Sequence, residues 1–101
     1  MYTHLDNFII YLKVEKNASP RTIESYQNDI WQFFDFLAIE LKLPVERIEP
    51  GQVEHLVIRK HLALLQRKGL KRTTIARKMA SIRAFFRFLS REEIIVANPL
   101  R

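Results

Sequence analysis

Eleven lysines and arginines lie between residues 59 and 91, with no aspartate or glutamate among them. Residues 1–58 carry five basic and nine acidic side chains, so the formal charge of +6 comes from that one 33-residue stretch. A solvated helix normally mixes signs, because opposite charges three or four residues apart support each other. A stretch without that support repels itself unless a polyanion neutralises it. The chemistry open to such side chains is phosphate binding. Guanidinium and ammonium groups donate charge-assisted hydrogen bonds to phosphate oxygens, and hydroxyls and free N–H groups at helix N-termini add to them.

Other chemistries find no support. There is no cysteine, hence no disulfide framework and no thiolate metal site. His4, His55 and His61 form no ligand pattern, and His4 and His61 read as surface or boundary residues. The three tyrosines, Tyr2, Tyr11 and Tyr26, all lie early in the chain. No His-x-x-Arg segment, carboxylate pair at metal spacing or phosphate-cradling glycine loop accompanies them. No catalytic residue, metal or cofactor is therefore expected. No apolar run approaches the ~20 residues that span a bilayer, and no basic-then-apolar leader opens the chain, so a soluble cytoplasmic protein is expected.

The elements that position the basic groups are legible in a repeat. "TIESYQNDIWQFFDFL" (residues 22–37) and "TIARKMASIRAFFRFL" (74–89) share Thr, Ile, Ile, Phe, Phe, Phe and Leu at an offset of 52 residues. The charges do not repeat: Arg77, Lys78 and Arg83 stand where the first copy has Ser25, Tyr26 and Trp31. The shared apolar spacing is accounted for by packing. Thr22 and Thr74 are less easily explained that way, since each sits in the first turn ahead of the core stripe.

Around the repeat, the chain of 101 residues with two glycines and four prolines reads as one all-α domain. A first helix is predicted from about Thr3 to Lys16, opened by a Thr3/Asp6 capping pair and ended by Asn17 in the left-handed conformation. The second runs from Pro20, capped by Ser19, to Ala38 or a little further. A loop broken by Pro44, Pro50 and Gly51, with room for one short turn, precedes a third helix from about Leu56 to Lys68, buried through Ile58, Leu62 and Leu65. Gly69 closes it, and the fourth runs from Arg72 to Arg91 with Ile75, Met79, Ile82, Phe86 and Leu89 on its core face. Two helical hairpins in series make a compact bundle of four main helices. Phe36 and Phe88 fall off the core stripes, as padding for the hairpins or contacts for another domain.

In combination, Ser19-x-x-Thr22-x-x-x-Tyr26-x-x-Asp29, Thr74-x-x-Arg77-Lys78, Ile82-Arg83-x-Phe85-Phe86 and Asn98-Pro99 are specific. From about Leu5 to Leu100 the chain resembles the N-terminal core-binding (SAM-like) domain of tyrosine recombinases, in the branch of Xer-like recombinases and phage-type integrases. Lys71 departs from that pattern, which has a serine as N-cap of the last helix; the role passes here to Thr73.

The resemblance implies that residues 1–101 are one domain docking on duplex DNA at a recombination half-site, with a separate C-terminal catalytic domain and other protomers as partners. It implies Arg21, Thr22 and Ser25 on the second helix, and Arg72, Thr73, Thr74, Arg77, Lys78 and Ser81 on the fourth, as DNA-facing residues. Arg77 is the candidate for base readout, with phosphate contact the alternative. Asp29, repelled by phosphate, is expected to pair with and orient a basic or amide group, and Tyr26 reads as a buried ring with its hydroxyl satisfied. Strand cleavage through a tyrosine belongs, by the same resemblance, to the catalytic domain, so this chain reads as the non-catalytic part. The competing reading is a helical protein-interaction module with a basic face, anchored through Phe36 and Phe88; membrane-surface binding by the fourth helix conflicts with its core stripe.

Overall fold

The computed structural model describes residues 1–100. Its elements are α1 (Tyr2–Val14), α2 (Pro20–Leu41), α3 (His55–Arg67) and α4 (Arg72–Arg91), and no strand occurs among the described residues. A radius of gyration of 13.1 Å matches the roughly 13 Å of a compact chain this long. The α1–α2 and α3–α4 hairpins form as the sequence predicts, and the most extensive pairing is between α2 and α4.

Local chemistry sets most of the boundaries. Ser19 caps α2, its Oγ accepting the Thr22 N–H at 3.1 Å, and Pro20 follows at a position where no N–H is needed. Asn17 (φ 48°) takes the left-handed turn between α1 and α2, and Gly69 (φ 73°) does so between α3 and α4. Three details differ from the sequence reading. Met1, not Thr3, precedes α1, with no side-chain cap. The loop after α2 holds two 3-10 turns, Val45–Arg47 and Pro50–Gln52, and the second is closed by Glu49 N–H donating to Gln52 Oε1 at 2.7 Å. Lys71 is the N-cap residue of α4 without a capping hydrogen bond, and Thr73 lies inside the helix, so the cap does not pass to it.

The core is aromatic. Phe33 and Phe34 of α2 meet Phe86 and Phe85 of α4 at centroid separations of 6.2 and 5.9 Å, all four fully buried. Burial of one such side chain stabilises by about 1.5–3 kcal/mol. Phe88 is buried against Phe8 and Tyr11 of α1, and the half-buried Phe36 packs on Phe33 and His61. Both residues fill seams between the two hairpins, Phe88 from α4 to α1 and Phe36 from α2 to α3.

His61 corrects the sequence reading, since it is 3% exposed and shares the α3 core stripe with Ile58 and Leu65 while Leu62 is only half-buried. Its ring lies 5.1 Å from Phe33 and 4.9 Å from Phe36, and its buried Nδ1 has no hydrogen-bond partner. Burial, reinforced by the positive charges of Lys68 and Lys78, lowers its pKa to about 4. The unfolded chain binds that proton near pH 6.5, so His61 leaves stability intact above that pH and erodes it as pH falls toward 4. Between pH 6.5 and 5, the urea midpoint of His61→Leu is expected to fall less than that of the wild type. Parallel curves would remove His61 from the acid response.

Candidate nucleic-acid interface

The repeat has a direct structural meaning. Ser25 meets Arg77 and Asp29 meets Ser81, each pair separated by the repeat offset of 52 residues. With Phe33–Phe86 and Phe34–Phe85 below them, these contacts show α2 and α4 side by side, in the same direction and in register. Two helices that run in parallel start at the same end. The first turn of α2 (Arg21, Thr22) and that of α4 (Arg72, Thr73, Thr74) therefore share one end of the bundle, and both present N–H-rich termini there.

Charges that fail to repeat are explained by what lies between the two helices. The Asp29 side chain is 1% exposed and accepts from three groups of α4. Arg77 Nη2 reaches Oδ1 at 3.1 Å, Lys78 Nζ reaches the same oxygen at 3.3 Å, and Ser81 Oγ donates to Oδ2 at 2.7 Å. Arg77 Nη1 also donates to Ser25 Oγ at 3.3 Å, and Lys78 Nζ donates to Gln32 Oε1. Part of the positive charge on α4 thus answers one carboxylate on α2. The expected pairing of Asp29 is present.

The same network corrects two expectations. Lys78 and Ser81 read as groove-facing, but the Lys78 side chain is 10% exposed and Ser81 only 4%. The buried face of α4 (Lys78, Ser81, Ile82, Phe85, Phe86, Phe88 and Leu89) is turned away from the predicted Ile75/Met79 side, which is only half-buried, and it lays both side chains against the buried Asp29. Tyr26 is half-buried, with its ring edge-on to Phe8 at 5.7 Å.

The other candidates remain at the surface. Arg21, Thr22, Ser25 and Arg77 line one open depression with Tyr26, Ala80 and Ser81. Arg21, Ser25 and Arg77 line a second with Glu24, Asn28 and Gln32, and Asp29 and Lys78 form its floor. The Thr22 hydroxyl accepts from Ser19 Oγ at 2.9 Å, so its own hydrogen is free to donate outward. Arg72 and Thr73 are exposed and Thr74 half-buried, at the α4 tip and outside both depressions.

Sequence reasoning missed a further group. Arg83, Arg87 and Arg91, spaced four residues apart on α4, line a depression with Ser90 and Asn98. Their spacing on an acid-free helix was the available signal. Arg91 is committed to α1: Nη1 donates to Tyr11 Oη at 2.8 Å, the guanidinium lies 4.7 Å from the ring centroid, and Nη2 is 3.4 Å from Glu15. Arg83 and Arg87 are exposed and form no ion pair among the described residues.

Chemically this surface offers fixed positive charge and hydroxyl donors. Among the described residues no group of three His, Cys, Asp or Glu could hold a metal, and no helix is long and apolar enough to cross a membrane.

Comparison with known proteins matches residues 5–93 to the model of the phage integrase N-terminal SAM-like domain. A tyrosine recombinase XerC from Pelotomaculum thermopropionicum is 50% identical over 100 residues, covering 99% of this chain and 33% of that protein. Counterparts from Thermodesulfovibrio yellowstonii and Listeria innocua are 36% and 41% identical, over 97% and 91% of this chain and 30% and 29% of their own lengths. The chain thus spans about a third of the length of these relatives. No solved structure matches.

Proposed function

We propose, from the premise that this chain belongs to the family of phage integrase N-terminal SAM-like domains, that it grips duplex DNA for a tyrosine recombinase. The observation that carries the reading is the parallel, in-register pair α2 and α4, which brings Arg21, Thr22, Ser25 and Arg77 to one surface. A helix tip entering a major groove about 12 Å wide brings its first-turn side chains to phosphates and base edges. In this reading Arg21, Thr22, Ser25, Arg72, Thr73, Thr74 and Arg77 meet the half-site. Lys78 and Ser81 hold Asp29 and act from beneath, and Arg83 and Arg87 extend the contact along the backbone.

The remaining partners follow the same reading. Residues 1–101 act as one non-catalytic domain, strand cutting and rejoining fall to a catalytic domain of the same recombinase, and further protomers assemble on the DNA in the cytoplasm. The protein-interaction alternative loses its anchors, because Phe88 is buried and Phe36 packs against Phe33 and His61.

Arg77→Ala tests the reading. Its side chain is 52% exposed, and Lys78 remains beside Asp29, so folding is expected to hold. Binding to a cognate duplex is expected to weaken by about 1–3 kcal/mol, and binding to random duplex by less, if the guanidinium reads a base. Equal losses on both, by fluorescence anisotropy, assign Arg77 to phosphate. No loss on either removes it from the interface.

A further inference from the structure

Two cations share one oxygen of Asp29, and they differ in freedom. Lys78 is 10% exposed and held by Gln32 as well, whereas Arg77 is 52% exposed and opens onto the surface shared with Arg21 and Ser25. One carboxylate needs one counterion. The planar guanidinium fork suits a phosphate as well as it suits a carboxylate, and it is more weakly hydrated than an ammonium.

We propose that Lys78 is the resident counterion of Asp29, and that its presence leaves Arg77 free to move from Asp29 to a DNA phosphate. Without Lys78, transfer of Arg77 strands a buried carboxylate with no cation, and the cost of that stranded charge opposes DNA binding. With Lys78 in place the carboxylate stays neutralised and keeps the Ser81 hydrogen bond throughout. Lys78 is thus a positioning residue that strengthens DNA binding without touching DNA. This inference rests on the DNA-binding reading above.

The experiment measures affinity for a short duplex by fluorescence anisotropy, with folding checked by circular dichroism. K78Q is expected to bind about tenfold more weakly, the scale of one hydrogen bond to a charged group. D29N/K78Q, which removes the carboxylate as well, is expected to return to within about twofold of wild type, the tolerance within which independent effects add. That rescue is what a direct phosphate contact cannot give. Equal loss in K78Q and D29N/K78Q would overturn the proposal in favour of such a contact, and unchanged binding by K78Q would overturn it outright. Should K78Q fail to fold, D29N/K78Q carries the test, because it strands no buried charge: it is expected to bind within about twofold of wild type, and weaker binding overturns the proposal. A wild-type chain that binds no duplex overturns the DNA reading itself, and this proposal with it.

Discussion

Raising monovalent salt from 50 to 200 mM is expected to weaken duplex binding by this chain about a thousandfold, the response of a protein that neutralises about six phosphates. The count comes from the surface. Arg21, Lys71, Arg72, Arg77, Arg83 and Arg87 are exposed, and of these only Arg77 has an acidic partner among the described residues. Each phosphate contact releases condensed counterions and adds about 0.9 to the slope of log K against log salt. The count takes only α2, α4 and the N-cap residue of α4: Arg91 is left out as paired with Glu15, and the cations of α3 are left out because they lie off the α2–α4 surface. Loss of Arg83 and Arg87 together is expected to reduce the slope by about 1.8, because each acts as an independent phosphate contact. Isothermal titration across the salt range reads both numbers. A slope near zero would reject DNA as the partner. A full slope that survives Arg83→Ala/Arg87→Ala would confine the contact to the helix tips and shorten the footprint along α4.

Much of this is legible in the sequence, for identifiable reasons. Ser19-Pro20, Asn17 and Gly69 punctuate the chain through backbone chemistry that depends on few neighbours, so those turns read correctly. The Ile, Phe and Leu spacing of the repeat is a helical period, and it gave two core-facing helices. What the spacing alone could not show is that the two copies pack on each other. That pairing turns an offset of 52 residues into contacts, and it decides which polar side chains are buried. Lys78 and Ser81 read as groove-facing for this reason: the pairing turns the buried face of α4 from the Ile75/Met79 side toward Phe85 and Phe88, where the buried Asp29 of α2 takes both polar groups. His61 was misplaced by the same logic, as two aromatic neighbours from α2 make room for an imidazole that its own helix does not call for.

Asp29→Ala is expected to destabilise the fold by about 3–5 kcal/mol, the cost of breaking a buried charge pair by removing one partner. Deleting the carboxylate leaves the Lys78 ammonium nearly enclosed with only Gln32 for company, and it takes from the Ser81 hydroxyl its bond to α2. The exposed Arg77 loses little, because water takes its place at the guanidinium. Burying an ion pair is itself a poor source of net stability, since desolvation offsets most of the attraction. Asp29→Leu/Lys78→Met is therefore expected to be far more stable than Asp29→Ala, close to wild type in urea denaturation. A double variant as unstable as the single would mean that shape, not charge, holds the seam. If the double variant folds well, the network's remaining purpose is register. Asp29 bonds Ser81 at one repeat offset while Ser25 bonds Arg77 at the same offset, and a slip of α4 along α2 breaks both contacts. Register is what fixes the first turns of α2 and α4 relative to each other, and in the DNA reading that relation is what two helix tips must present to one duplex. The stable double variant is accordingly expected to lose discrimination between cognate and random duplex while keeping its fold. Retained discrimination would show that the aromatic seam of Phe33, Phe34, Phe85 and Phe86 sets the register unaided.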